Sequence, residues 1–294
     1  MQLLWINNYM PINPDVNQNK QTMEYGSYVK IVDDARFPPV SANHFGTPYD
    51  HYALLTRNVD SMPGLTIPTT QGDQQGFVQK YGFNEDLDSV TNGHEQTIWS
   101  VGGPYPWSVL DEPTQLFVSS SSDDDVNIVV QVTGLDQNWE QVTHDVTLQG
   151  ATPVQLTGEW RRVYRAMVTS DTSTIGDVLI FDGDTVTVAE IMPEEQQTLM
   201  ALYTVPKGFT GYITCFESTV SRNEDMLFRL RIRERGGVFK TQHIAQVYES
   251  PYRYNYDVYK PVLEMSDIEC TGSPTNNNVS AHAAFDMILI KNTV

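Results

Sequence analysis

The run from Leu116 to Gly150, LFVSSSSDDDVNIVVQVTGLDQNWEQVTHDVTLQG, constrains the fold more than any other part of the chain. Val126, Ile128, Val130 and Val132 alternate with Asn127, Val129, Gln131 and Thr133. Successive side chains of a strand point to opposite faces, so this spacing predicts a strand with one buried face. Gln141 to Leu148 repeats the pattern, with Val142, His144, Val146 and Leu148 on one side. An acidic turn through Asp123, Asp124 and Asp125 precedes the first strand, and a Gly-Leu-Asp turn separates it from the second.

The same grammar continues from about residue 93 to the end. Turn signals recur roughly every 8–12 residues, the signature of an all-β chain. Gly211 to Val220, Met226 to Arg233, Val238 to Val247 and Val279 to Ile290 are further strands. Asp182-Gly183 marks a tight hairpin, because glycine accepts positive φ. Gly158 to Val168, GEWRRVYRAMV, fits either a helix or a strand, and its β-rich surroundings favour a strand. Pro193-Glu194-Glu195 can open one helical turn. The fold class predicted is all-β, an antiparallel β-sandwich or jelly-roll-like body. It divides into residues 93–192 and 193–294, or runs as one continuous domain over 93–294.

Residues 1–92 read differently. Trp5, Tyr9, Tyr25 and Tyr28 are interleaved with Pro, Asn and Gly, and only Gly26 to Val32 resembles a clean strand. Such a segment buries little of its own apolar surface, yet its aromatic content argues against a disordered tail. An extended arm lying on a neighbouring subunit or on the body reconciles the two, and a small irregular domain is the alternative.

Charge narrows the function. Lys and Arg total 18 against 37 Asp and Glu, a formal net charge of -19. A nucleic-acid binder needs a basic face to displace phosphate counterions, so no nucleic-acid partner is expected. No stretch approaches the roughly 20 apolar residues of a membrane helix, and no membrane partner is expected. The start, MQLLWINNYMPINPD, has neither the basic region nor the cleavage site of a signal peptide. Cys215 and Cys270 sit in strand-like stretches and read as buried free thiols rather than a disulfide scaffold.

Signatures of catalysis are absent from the sequence: no Gly-x-Ser-x-Gly, no His-Glu-x-x-His, no phosphate loop and no Cys-x-x-Cys. No enzymatic activity and no cofactor are expected. Asp123, Asp124 and Asp125 form the weak candidate for a metal, since hard cations prefer clustered carboxylates, but a solvated turn explains them as well. Trp139 follows a turn and is the aromatic residue most suited to an exposed sugar or receptor contact. In LFRLRIRER, Arg229, Arg231, Arg233 and Arg235 share one strand face. That face is either solvated or a seam against an acidic neighbouring subunit.

These residues carry a resemblance. KYGFNEDLD (Lys80 to Asp88), TIWSVGGPYPW (Thr97 to Trp107), VTGLDQNWEQVTHDVTLQGATPV, EWRRVYRAMV, QTLMALYTVPKGFTGYIT (Gln197 to Thr214) and FRLRIRERGGVFKTQH (Phe228 to His243) resemble, in order and spacing, structural proteins of marine tailed bacteriophages such as cyanophages and pelagiphages. The likeness covers roughly Lys80 to Asn292. It departs where the family is often Gly-rich after its first sandwich strand, because this chain has DDDVN there. The resemblance implies a β-sandwich protein located in the virion and assembled in the host cytoplasm, with no catalytic residue. The expected partners are further copies of the chain, as a trimer, and a major capsid protein or other virion proteins. The arm residues Trp5, Tyr9, Tyr25 and Tyr28 and the strand residues Arg229, Arg231 and Arg233 are the expected subunit contacts. A capsid decoration or cement protein is the first expectation. A tail or head-tail component, or a receptor- or glycan-binding fibre module, is the alternative.

Overall fold

The computed structural model describes residues 19–22, 28–31, 75–89, 95–184, 186–248 and 250–292. The chain divides into two compact units, Met1–Ile67 and Pro68–Val294. In the first, β1 (Asn19–Thr22) and β2 (Tyr28–Ile31) form an antiparallel pair. The second unit holds β3 (Gln75–Leu87) and every later strand, so the boundary expected near residue 92 falls between Ile67 and Pro68 instead.

The body is all-β and antiparallel, as its alternation predicted. Its first half pairs β5 (Phe117–Ser120), β8 (Val154–Gln155), β10 (Val178–Phe181) and β11 (Thr187–Ile191) in one sheet. That sheet packs on a second one made of β6 (Val126–Asp136), β7 (Gln141–Gln149) and β9 (Trp160–Val168). The other half has β13 (Phe209–Val220), β16 (Tyr252–Val262) and β18 (Val279–Lys291) in a sheet that ends on β3. It packs on β12 (Leu202–Thr204), β14 (Asp225–Arg233), β15 (Lys240–Tyr248) and β17 (Asp267–Pro274), with β4 (Gln96–Thr97) paired to β17. The buried side chains of both halves form one continuous core, from Leu116 and Trp160 to Phe216 and Phe285.

Local chemistry explains where strands bend. Ile128, Val130 and Val132 point inward as expected, but Val126 is 52% exposed. A bulge between Val126 and Val129, with Asn127 at φ 61°, turns Val126 outward. GEWRRVYRAMV forms strand β9, paired to β6. The β10–β11 hairpin exists, but its loop runs from residue 182 to 186 rather than being a two-residue turn. The Asp182 carboxylate accepts the Asp184 and Val186 amides at 3.0 and 3.1 Å and so widens the turn. At Pro193 the chain makes a single helical turn that is not continued, in which the Glu195 and Gln196 amides return to the Met192 carbonyl. Cys215 and Cys270 are buried free thiols.

Strand β3 lies inside the segment read as an arm. It runs beside β18 from Leu87 opposite Val279 to Gln75 opposite Ile290. Its central inward positions are Lys80, Gly82 and Asn84, none with an apolar side chain, and only Val78 and Leu87 towards its ends pack on the core, so its hydrophobic period is broken in the middle. Gly82 is required by proximity: a Cβ there would lie 2.1 Å from the Ile98 carbonyl oxygen and 2.4 Å from the Ala201 nitrogen. Asn84 Nδ2 donates to the Trp99 carbonyl at 2.7 Å and satisfies a buried acceptor. Gly82→Ala is expected to destabilise the body by roughly 2–4 kcal/mol, because two backbones must part. Urea denaturation checks this, and an unchanged midpoint would show that β3 packs less tightly than described.

Candidate functional site

The chemistry-bearing side chains converge around the arginine face of β14. Alternation places Met226, Phe228 and Leu230 in the core and Arg229, Arg231 and Arg233 on the opposite face. The register with β17 sets Arg231 opposite Glu269 and Arg233 opposite Asp267, so cross-strand neighbours have opposite charge. Arg233 Nη2 lies 2.6 Å from Asp267 Oδ2 and 3.1 Å from Asp111 Oδ1. Arg231 contacts Glu95 at 3.1 Å and Glu269 at 3.6 Å, and Arg229 contacts Glu95 at 3.5 Å.

A fourth arginine, from the other half of the body, completes the cluster. Arg162 of β9 reaches Asp267 with two parallel bonds, Nε to Oδ1 at 2.7 Å and Nη2 to Oδ2 at 3.0 Å. It also donates to the Leu110 carbonyl at the end of the short 3-10 turn Trp107–Leu110. Thr204 Oγ1 adds a bond to Asp267 Oδ1 at 2.6 Å. Burial works against the charge of Arg162, but the bonds and charge of Asp267 outweigh it and raise its affinity for the proton. Burial pushes the Glu269 carboxyl up, against donation from Trp107 Nε1 at 2.9 Å and the charge of Arg231. Burial also acts upward on Glu95, yet Thr271, Arg231 and Arg229 together hold it below the usual carboxylate range.

Aromatic rings cover this cluster. Arg162 lies 5.3 Å from the Trp107 ring and 5.1 Å from that of Trp139, and Arg233 lies 5.0 Å from Phe239. Trp139, expected on an exposed turn, is only 7% exposed. Its ring sits against the guanidinium groups of Arg161, Arg162 and Arg235, which withdraws it from sugar or receptor contact. The acidic partners of Arg229, Arg231 and Arg233 are strands and loops of the same chain. The signal for this was present in the alternation of Asp267, Glu269 and Thr271, which complements that of the arginines in an antiparallel register.

The acidic turn also differs from expectation. Asp123 and Asp124 are exposed, but Asp125 is fully buried. Its carboxylate accepts the Ile175 and Gly176 amides at 2.8 and 2.9 Å and the Ser120 hydroxyl at 2.5 Å. Asp125 therefore pins the loop before β10 rather than facing solvent. Among the described residues, no group of His, Cys, Asp or Glu is placed to hold a metal. Trp5, Tyr9 and Tyr25 lie outside the described residues, and of Tyr28 only its place in β2 is described.

A second convergence joins two sheets at their edges. His243 of β15 shares its ring nitrogens with two hydroxyls of β16, Nε2 with Tyr252 at 2.7 Å and Nδ1 with Tyr256 at 3.0 Å. Burial, followed by Lys260, lowers the proton affinity of this imidazole.

No protein-family model matches the chain, and no curated protein matches it. Solved structures similar to it include that of infectious bursal disease virus, Gx strain, at 9% identity, covering 75% of this chain and 73% of that one with a TM-score of 0.25. The crystal structure of the infectious bursal disease virus VP2 subviral particle is 11% identical, with 74% and 72% covered and a TM-score of 0.21. Scores this low fall short of a shared strand arrangement and carry no argument about function.

Three substitutions test the site. Asp267→Asn removes the buried counter-charge shared by Arg162 and Arg233, leaving both with the half-exposed Asp111, and is expected to cost about 3–5 kcal/mol. The exposed Arg253–Glu217 pair serves as its contrast, since Arg253→Ala is expected to cost less than about 1 kcal/mol. Equal denaturation midpoints for these variants would contradict the clamp. For Asp125, burial acts upward but the Ser120, Gly176 and Ile175 bonds prevail and lower its pKa in the fold. Its contribution is therefore complete above the unfolded value of about 3.9 and is lost as pH falls through the lower folded value. Asp125→Asn is expected to cost roughly 1–3 kcal/mol at neutral pH and to flatten stability below about pH 4. Unfolding curves across acid pH measure both.

Proposed function

We propose that the chain is a non-enzymatic structural protein of a virus particle that assembles as a homo-oligomer through sheet edges and its N-terminal segment. The observation that carries this reading is the pair of strands β15 and β16, each of which stands unpaired at a sheet edge among the described residues. Each ends a sheet of the same half of the body, and His243 ties one to the other. Both present large apolar side chains to solvent: Ile244 is 57% and Tyr248 65% exposed on β15, and Val258 is 83% exposed on β16. Monomeric proteins blunt their edges with charge, proline, bulges or short strands. β16 also carries Arg253, Asp257 and Pro261, but Ile244, Tyr248 and Val258 leave exposed apolar surface on both edges, which favours an extended partner or a second copy of the same edge.

The internal neutralisation of the arginine face supports the same reading. Its guanidinium groups are committed to Glu95, Asp111, Asp267 and Glu269, so assembly falls to the edges rather than to that face. In its finer form the proposal is a decoration or cement protein of a tailed bacteriophage, a trimer seated on the major capsid protein. That form rests on the family resemblance of the sequence.

Light scattering on the purified full chain tests assembly. Wild type is expected as a defined oligomer at micromolar concentration, and Ile244→Lys with Val258→Lys as a monomer of unchanged stability. A monomeric wild type, or a double variant that assembles as before, overturns self-assembly through these edges. Immunogold labelling of purified particles tests location, and protein found only in the soluble fraction of infected cells overturns a virion role.

A further inference from the structure

Where the two halves of the body meet, β3, β6, β7, β9 and β12 enclose a half-open cavity of about 520 Å³. Lys80 and Arg165 line it, and among the described residues no Asp or Glu does. This is notable in a chain of net charge -19. Lys80 is buried and donates to the Tyr164 carbonyl, yet no described carboxylate reaches ion-pair distance of it or of Arg165. Tyr164 and Tyr203 also line the cavity with rings 4.6 Å apart, and neither buried hydroxyl completes a hydrogen bond of good geometry. Burial keeps both phenols protonated and therefore able to donate. The rest of the wall is largely amide and hydroxyl, including Gln141, Thr143 and Gln197.

A buried ammonium without a carboxylate partner among the described residues, and two tyrosine hydroxyls that face each other so that one of them can donate elsewhere, are deficits that one anionic ligand removes. The volume matches a small-molecule site and exceeds what one acidic side chain from a neighbouring protein fills. Neutral hydrogen-bonding groups around a cation suit a ligand with one carboxylate and several hydroxyls. We propose that this cavity binds an acidic sugar, with its carboxylate on Lys80 and Arg165 and its hydroxyls on the tyrosine, threonine and glutamine groups. The site lies within the Pro68–Val294 unit and stands whether or not the chain assembles.

Burial, followed by the charge of Arg165, lowers the Lys80 pKa to about 7. A bound carboxylate favours the protonated form, so binding draws a proton from solvent above neutral pH.

Calorimetry on the full-length protein tests the site with D-glucuronate and N-acetylneuraminate, against D-glucose as the neutral counterpart. The acidic sugars are expected to bind in the roughly millimolar range and glucose not at all. Affinity is expected to weaken about tenfold between about pH 6.5 and about pH 8.5, with proton uptake at the higher pH revealed by changing the buffer. Lys80→Met is expected to abolish binding, and Arg165→Ala, at an exposed position that leaves the fold intact, to weaken it severalfold. If Lys80→Met fails to fold, Arg165→Ala and the wild-type pH profile decide. Equal binding of glucose and glucuronate, no binding of either acidic sugar, full affinity in Arg165→Ala, or capture of an acidic peptide in place of the sugars overturns the proposal.

Discussion

The carboxylate of Asp267 is shared by Arg162 and Arg233 and capped by Thr204. Arg162 belongs to a strand of the first sandwich, and Asp267 and Arg233 to neighbouring strands of the second. Burying these charges is costly, and the clamp holds because nearly every donor and acceptor in it is matched. Its position explains why two sets of strands, each able to close its own sheets, form one compact unit with one continuous core. The Leu110 carbonyl and Asp111 bring the 3-10 turn into the same cluster, so the connection leading into the first sandwich is fixed by the second.

Aromatic residues strengthen the clamp by excluding water. Trp107, Trp139 and Phe239 lie on the guanidinium groups, and Trp107 also donates to Glu269. Lower local dielectric strengthens each ion pair and raises the cost of losing a partner. An arginine-rich strand in an acidic protein thus serves cohesion between strands. Surface chemistry is left to the apolar edges β15 and β16 and to the cavity around Lys80, where charge and hydrogen-bonding capacity are unspent.

The alternation in Leu116 to Gly150 predicted paired strands with buried Ile128, Val130 and Val132, and that pattern is local enough to read directly. β9 was legible for the same reason once a β context was accepted, although its residues also fit a helical period. β3 was not legible, since its central inward positions are Lys80, Gly82 and Asn84. Each is set by a distant partner: the Tyr164 carbonyl, the Ile98 and Ala201 backbone, and the Trp99 carbonyl. Trp139 and Asp125 looked like exposed turn residues for the converse reason, because the groups that bury them come from remote loops and strands.

By itself, then, the sequence determined the all-β class, most strand positions and the common face of Arg229, Arg231 and Arg233. Those properties follow from side-chain alternation within a single strand. Only the tertiary structure decided that the acids facing these arginines lie in the same chain, that β3 belongs to the body, and that Lys80 is buried in a cavity lined by no carboxylate of the described residues. Each depends on the register and packing of segments far apart in sequence, which no local period encodes.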